Sequence, residues 1–230
     1  ECRRETPVLL VDGSPADNQQ LGSPTFLQLA LAPAGASASS VFAPRVITEL
    51  ELPHTPLSSF AAVVLSDHGP IDRSTAQSLQ NYVAAGGLLA LFPGPRTQPE
   101  AMNQNLHDLL PASVGQIVRQ NGDAGRGVAF DASQYAHPIL APFAAASGAG
   151  RMVGLGSAET QTYLQLNIAP DSESEVALKF AGGAPAIVTR RVGAGRVILW
   201  ATSADTRWSS LPAKPAYVPL IWEMFYYGLS

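Results

Sequence analysis

The chain has 230 residues, of which 46% are hydrophobic and 14% are charged, and its formal net charge is −4. This composition supports a sizeable core and excludes an intrinsically disordered chain. Arginines are scattered and lysine occurs only at positions 179 and 214, so the basic patch of a nucleic-acid-binding protein is absent. No apolar run approaches the 18 residues typical of a membrane-spanning helix.

Short apolar runs alternate with helical patterns in the first half of the chain. The clearest run is Leu88–Phe92, which stands between a Gly-Gly pair and a Pro-Gly-Pro sequence. Continuous apolar runs of this kind predict parallel strands that are covered on both faces. The predicted elements are a strand at 7–11, a helix at 25–31, a strand within 41–52, a strand at 61–66, a helix at 74–85, a strand at Leu88–Phe92 and a helix at 102–110.

The start of the helix at 74–85 can be capped in two ways. Ser74 with Gln77 fits a capping box, and Asp72 is the alternative N-cap. The apolar stripe of this helix and the short connections on either side of it favour a doubly wound parallel sheet.

The periodic pattern of apolar residues weakens at residues 114–156. The last third of the chain then has patterns typical of strands. Residues 163–168 alternate in polarity, and residues 186–192 and 196–202 flank a Gly-Ala-Gly turn, which predicts a hairpin. We therefore expect antiparallel strands that extend or cap the sheet. The predicted fold class is α/β, with a doubly wound, mostly parallel sheet of flavodoxin-like type and an antiparallel C-terminal extension.

A closing helix is predicted at 218–229, where Glu223 is the only charge. A helix that is apolar nearly all round must be buried, against this domain or against a neighbour. The aromatic residues of this region pack in the core or form a patch that faces a partner or a membrane. We expect a single domain over residues 1–230, with a core at 7–112, a variable insert at 113–160 and the antiparallel strands and closing helix at 161–230.

Common catalytic motifs are absent from the sequence, including a Gly-x-Ser-x-Gly nucleophile elbow, a P-loop and His-Glu-x-x-His or Cys-x-x-Cys metal spacings. The better candidates are polar residues that follow predicted strands, because sites in open α/β sheets form beyond the carboxyl ends of strands. These candidates are Asp12, Asp67, His68, Asp205 and Arg207, together with the turn that begins at Phe92 and Pro93.

The carboxylates among these candidates have two interpretations. Asp12 and Asp67 with the His68 imidazole have the donor types that bind a divalent metal or carry out acid–base catalysis. Alternatively, the two aspartates cap turns or helix N-termini, as aspartate commonly does. The sequence leaves both interpretations open.

Five stretches together carry a resemblance to a known family. They are VLLVDG at 8–13, AVVLSD at 62–67, YVAAGGLLALFPG at 82–94, GAGRVILWATSADTRWSSLP at 193–212 and YVPL at 217–220. The chain resembles the class I glutamine amidotransferase-like domain of BatA-type bacterial membrane proteins, which have a double-transmembrane N-terminal region. The wider superfamily includes the amidotransferases and the DJ-1-like and ThuA-like proteins.

The resemblance carries expectations about activity. Catalytic members have a cysteine at the turn after the strand that corresponds to Leu88–Phe92, where this chain has Phe92 and Pro93. The only thiol is that of Cys2, which precedes the first strand, so we expect no covalent glutaminyl intermediate, no catalytic residue, no metal and no cofactor.

Two functional hypotheses follow. The first is a non-catalytic domain that mediates protein interaction or assembly, with other segments of the same protein among its candidate partners. The resemblance implies that the chain is part of a longer protein, anchored in the membrane by segments outside this sequence, with the domain on the extracytoplasmic (periplasmic) side. The second hypothesis is a ThuA-like, metal-dependent hydrolase or sugar-processing domain that uses Asp12, Asp67 and His68.

Overall fold

The structure, a computed structural model, describes residues 5–14, 22–33, 41–120, 127–131, 133, 136–148 and 154–230. The strands are β1 (Thr6–Asp12), β2 (Phe42–Thr48), β3 (Ala62–Ser66), β4 (Leu88–Phe92), β5 (Ser113–Arg119), β6 (Val128–Ala129), β7 (Glu159–Thr160), β8 (Thr162–Asn167), β9 (Glu175–Lys179), β10 (Pro185–Val192) and β11 (Gly195–Trp200). The α-helices are α1 (Ser23–Leu31), α2 (Arg73–Ala84), α3 (Pro99–Asn105), α4 (Ala141–Gly148) and α5 (Tyr217–Gly228).

A large mixed sheet forms the centre of the fold. Within the described residues it has seven strands in the order β2-β1-β3-β4-β11-β10-β9. The neighbours from β2 to β11 are parallel, whereas β10 is antiparallel to both β11 and β9. The predicted α/β class and the mostly parallel sheet are confirmed, and the antiparallel C-terminal extension is confirmed in part.

The strand order places helices on both faces of the sheet. The chain moves outward from β1 to β2 through α1, and then in the other direction from β3 to β4 through α2. Because such crossovers are right-handed, the two helices lie on opposite faces. α5 packs beside α1, where the Trp222 indole Nε1 donates to the Ala30 carbonyl at 2.7 Å. Every residue of β3 and β4 is consequently buried, as their continuous apolar sequences require.

The elements predicted from sequence agree with the structure at Leu88–Phe92 and differ elsewhere at their ends. Asp72 is the N-cap of α2, because its Oδ1 accepts from the backbone N of Ser74 (2.8 Å) and of Thr75 (3.0 Å). The alternative capping box of Ser74 with Gln77 is therefore wrong. The helix predicted at 102–110 begins earlier and ends at Asn105.

The middle of the chain contains strands that its weak periodicity did not predict. β5 pairs with β8 in a separate two-stranded sheet, so the strand predicted at 163–168 exists but does not extend the main sheet. Residues near β8 bond to the segment after β11: Leu164 N donates to the Ala201 carbonyl at 2.7 Å, and Gln161 N to the Trp208 carbonyl at 2.9 Å. The middle of the chain thereby fixes the backbone that follows β11.

A substitution at Gly195 in β11 tests how closely this strand packs against its neighbours. A Cβ at this position would overlap the carbonyl oxygens of Val83 and Gly87, which belong to backbone that cannot move independently of α2 and β4. We expect Gly195→Ala to lower the free energy of unfolding by about 2 kcal/mol or more. Urea denaturation of the purified chain measures this change.

The matched control is Gly182→Ala, because a Cβ at Gly182 has no heavy atom within 4 Å. This variant should stay within about 0.5 kcal/mol of the original chain. Equal stability of the two variants would contradict the close packing of β11.

Candidate functional site

The polar residues chosen from the sequence converge at the carboxyl edge of the parallel strands. Asp12 ends β1 opposite Ser66 at the end of β3, and Asp67 follows directly. Phe92 ends β4, and the segment containing Asp205 and Arg207 follows β11, the neighbour of β4. We call the space between these strand ends the crevice, bounded by Asp12, Asp67, Phe92, Asp205 and Arg207.

Both the backbone and the side chain of Asp67 make close contacts with the neighbouring turns of the crevice. Its φ is 49°, in the left-handed region that aspartate tolerates better than most residues. Its N donates to the Phe92 carbonyl at 3.0 Å. A Cβ at Gly13 would overlap the Asp67 carbonyl, and a Cβ at Gly94 would overlap the Asp67 carboxylate. The turns after β1, β3 and β4 therefore interlock around this one residue.

The central charge pairing joins Arg207 to two buried carboxylates. Arg207 Nη1 donates to Asp67 Oδ2 at 2.8 Å. Its Nε and Nη2 both donate to Asp205 Oδ2, at 2.8 and 2.6 Å. Asp67 and Asp205 are 1% and 0% exposed, so neither charge is solvated directly. Such carboxylates persist as anions only where paired donors replace water.

Asp205 receives more donors than Arg207 alone provides. Ser23 Oγ, at the start of α1, donates to its Oδ2 at 2.7 Å, and its Oδ1 accepts from Ser203 Oγ (3.0 Å) and Arg207 N (2.9 Å). Burial alone would raise the pKa of Asp205, but these hydrogen bonds outweigh it and hold the pKa below its ordinary value. Burial alone would lower the pKa of Arg207, but its hydrogen bonds and charge pairing with Asp205 outweigh burial and raise the pKa above its ordinary value. Both members of the pair are therefore ionised.

Arg96 and Glu49 complete the pairing at the crevice and were missed as individual site residues in the sequence. Arg96 N donates to Asp67 Oδ1 at 2.7 Å, and Arg96 Nη2 lies 2.7 Å from Glu49 Oε1. Glu49 follows β2, whose carboxyl end lies at the same edge as that of β1. The rule that selected Asp12 and Asp67 would therefore have selected Glu49 as well. Arg96 ends the turn that begins at Phe92.

Asp12 differs from the other carboxylates because no cation among the described residues contacts it directly. Its Oδ1 accepts from Ser14 N at 3.0 Å, which caps the turn after β1. The pKa of Asp12 is raised above its ordinary value, mainly by burial and to a smaller extent by repulsion from Asp67 and Glu49. The hydrogen bond from the Ser14 amide and the charge of Arg207 oppose this increase. Asp12 is thus a turn cap at the margin of the charge pairing.

Phe92 and Pro93 occupy the turn after β4, at the carboxyl edge of the sheet. Both are buried, and the Phe92 ring lies 5.0 Å from the Trp200 ring at an interplanar angle of 31°. The nearby hydroxyls bond to groups other than a histidine: Ser66 Oγ donates to the Val11 carbonyl at 3.0 Å. Cys2 lies outside the described residues.

His68 lies beside the crevice without bonding to its carboxylates. Its Nδ1 is 2.8 Å from the Gly69 carbonyl, and because a carbonyl only accepts, Nδ1 carries the hydrogen. Burial lowers the pKa of His68, so the ring is neutral. Across the described ranges, His, Cys, Asp and Glu side chains do not form a group of three or more with the spacing of a metal site.

Comparisons with known proteins support the fold alone. No protein-family model and no curated protein matches the sequence. A cytoplasmic protein from Salmonella typhimurium is similar in structure, with 15% identity, a TM-score of 0.68 and coverage of 96% of this chain and 98% of that one. A ThuA-like protein from Parabacteroides merdae has 13% identity and a TM-score of 0.57, with 99% and 91% covered.

A third similarity is to part of a much larger enzyme. The β-galactosidase from Rahnella sp. R3 has 12% identity and a TM-score of 0.59, with 97% of this chain covered but 32% of that chain. This chain therefore spans about a third of that enzyme. At such identities the likeness establishes an α/β fold of the kind found in ThuA-like proteins, and function must be argued from the site.

Replacing Asp205 tests the central charge pairing. Asp205→Asn removes the negative charge to which Arg207 Nε and Nη2 both donate, and the Arg207 side chain is 28% exposed. We expect a loss of about 3 kcal/mol in the free energy of unfolding near pH 7. Because the pKa of Asp205 is lowered by folding, its stabilisation is present above about pH 4 and is lost as pH falls through the folded-state pKa. The difference between the two proteins should shrink accordingly in urea denaturation at acidic pH.

Asp12→Asn should not lower the free energy of unfolding near pH 7, in contrast to Asp205→Asn. The variant keeps an oxygen for Ser14 N and removes a charge that the folded state disfavours, as the raised pKa of Asp12 indicates. We expect its unfolding free energy near pH 7 to equal or exceed that of the original chain. The difference should vanish below about pH 4, where Asp12 is protonated in both the folded and the unfolded states. Destabilisation by more than about 1 kcal/mol would contradict this assignment.

Proposed function

We propose that this chain is a non-catalytic domain of ThuA-like, amidotransferase-like fold whose role is to bind another protein. The proposal rests on the way in which the polar groups of the crevice are already paired with one another. Its buried charges are paired with one another through Arg207, and the turn after β4 contains the buried Phe92 and Pro93. A site that has already satisfied its polar groups internally stabilises the fold and leaves little to act on a substrate.

The chemistry of the alternatives supports the same reading. Covalent catalysis needs a nucleophile within hydrogen-bond reach of a base. His68, the imidazole beside the crevice, donates to a backbone carbonyl and has no hydroxyl or thiol partner within the described part of the chain. A metal-dependent mechanism would need Asp67 as a ligand, but Arg207 and the Arg96 amide occupy both of its carboxylate oxygens.

A partly exposed apolar surface on α5 supports protein binding. Val218, Trp222 and Tyr226 are spaced four residues apart and therefore lie on one face of the helix. Val218 is 39% and Tyr226 43% exposed, and Trp222 is partly buried beside α1. Aromatic residues at the surface are enriched where proteins meet. We call these three residues the α5 stripe and propose that a partner contacts it.

The membrane-linked part of the proposal rests on the sequence resemblance. BatA-type proteins place this kind of domain outside the cytoplasm, and we propose the same for this chain, with other segments of the same protein among its partners. Within the described residues, no helix has the length and apolarity needed to cross a membrane. Protease digestion of spheroplasts, whose outer membrane no longer blocks the protease, tests the proposed location: the domain should be cleaved before the spheroplasts are lysed.

Val218→Glu tests the interaction. The substitution places a charge on the α5 stripe near the helix N-terminus, where an acidic residue does not disturb the helix. After chemical crosslinking in the host cell, the tagged chain should recover its partner at about a tenfold lower level than the original chain does.

The matched control is Leu50→Glu, which makes the same charge change at an 81% exposed leucine away from α5. This variant and Asp12→Asn should recover the partner normally. Equal recovery with all variants would remove the α5 stripe from the proposal. A hydrolytic activity of the purified chain that is abolished by Asp67→Asn would overturn the non-catalytic role itself.

A further inference from the structure

A cavity lined in part by His68 lies near the crevice, since it shares the ends of β1 and β3 with it. It has a volume of about 240 Å³ and is bounded by the ends of β1 and β3, the turn at Leu52–His54 and the start of α2. Its walls are mainly apolar, with contributions from Val11, Leu52, Leu65 and Ile71. An engineered apolar cavity of about 150 Å³ in another protein holds benzene, so this one has room for a six-membered ring with a substituent.

The two carboxylates that line the cavity are already paired. Glu49 Oε1 bonds to Arg96, and Glu49 Oε2 accepts from Gly69 N at 3.2 Å. Asp72 accepts from the first amides of α2 and from Thr75 Oγ1 at 2.6 Å. A ligand need not supply donors for either group, and the amides that might have attracted an anion at the helix N-terminus are occupied.

His68 is the lining residue with an unmet hydrogen-bonding capacity. It is only 5% exposed, and its Nδ1 hydrogen is used by the Gly69 carbonyl, which makes Nε2 an acceptor. Within the part of the chain that the structure describes, Nε2 has no protein partner. Nε2 can therefore accept a hydrogen bond from the O–H or N–H group of a bound molecule, which would take the place of water there.

These features restrict the chemistry of a ligand. The carboxylates of Glu49 and Asp72 disfavour an anion, and both oxygens of each already accept hydrogen bonds from protein donors. Apolar walls favour a hydrophobic body, and the single acceptor without a protein partner favours a single donor. We propose that this cavity binds a small neutral molecule that has an apolar ring or short aliphatic body and one hydroxyl or N–H group directed at His68 Nε2.

This inference is independent of the proposed protein-binding role and concerns a different surface from the α5 stripe. The test uses phenol and toluene as probes, because they have rings of the same size and only phenol has a donor. We expect phenol to shift the amide resonances of cavity residues such as Leu52, Gly69 and Ile71 in NMR titrations of the purified chain. Toluene should bind the same cavity about fivefold more weakly.

Two variants make the test decisive. His68→Phe removes the acceptor and should abolish the preference for phenol over toluene, whereas His107→Phe makes the same change at a histidine whose side chain is 69% exposed and should preserve it. Leu52→Trp fills the cavity without touching His68 and should weaken the binding of both probes about tenfold or more.

Three results would overturn the proposal: no localised phenol shifts up to its solubility limit, equal affinity for phenol and toluene, or unchanged phenol affinity in folded His68→Phe. If His68→Phe does not fold, Leu52→Trp decides the outcome, and unchanged phenol binding in that variant refutes the cavity as the site. None of these results bears on recovery of a protein partner through the α5 stripe.

Discussion

The structure at the carboxyl edge of the sheet depends on one cation between two buried anions. Arg207 joins Asp205, in its own loop, to Asp67, which lies 140 residues away in sequence at the end of β3. Removing one member would leave a buried charge unpaired, so the three residues are stable only together. Through Ser23 and the Arg96 amide, the same carboxylates also bond to the start of α1 and to the turn after β4. One network therefore links the turns after β3, β4 and β11 to the start of α1.

This network satisfies the buried carboxylates of the crevice within the protein. Strongly perturbed pKa values occur at functional sites, but structural ion-pair networks produce them as well. In this chain the partners of the carboxylates are internal, and the turn after β4 packs Phe92 against Trp200. His68, which follows Asp67 in the chain, bonds to none of these carboxylates and lines the neighbouring cavity.

The sequence predicts the parts of the fold that local patterns specify. Leu88–Phe92 was predicted with its observed ends, because glycine and proline bound a run that is apolar at every position. The convergence of Asp12, Asp67 and Asp205 follows from parallel strands having a common carboxyl edge. The pairing by Arg207 does not follow, since no local pattern relates residues 67 and 207. β5 was missed because only part of it is buried and its alternation is weak.

The measurement that tests the central claim most directly is a double-mutant cycle between Asp205→Asn and Arg207→Met, followed by urea denaturation near pH 7. If the pair is a structural unit, each single variant is destabilised, and the double variant loses about 2 kcal/mol less than the sum of the two single losses. The double variant stays less stable than the original chain because Asp67 has lost its cation. Additive effects within about 0.5 kcal/mol would mean that the two side chains act independently. The crevice would then have charges free for another purpose, and the carboxyl edge of the sheet would not depend on this pair.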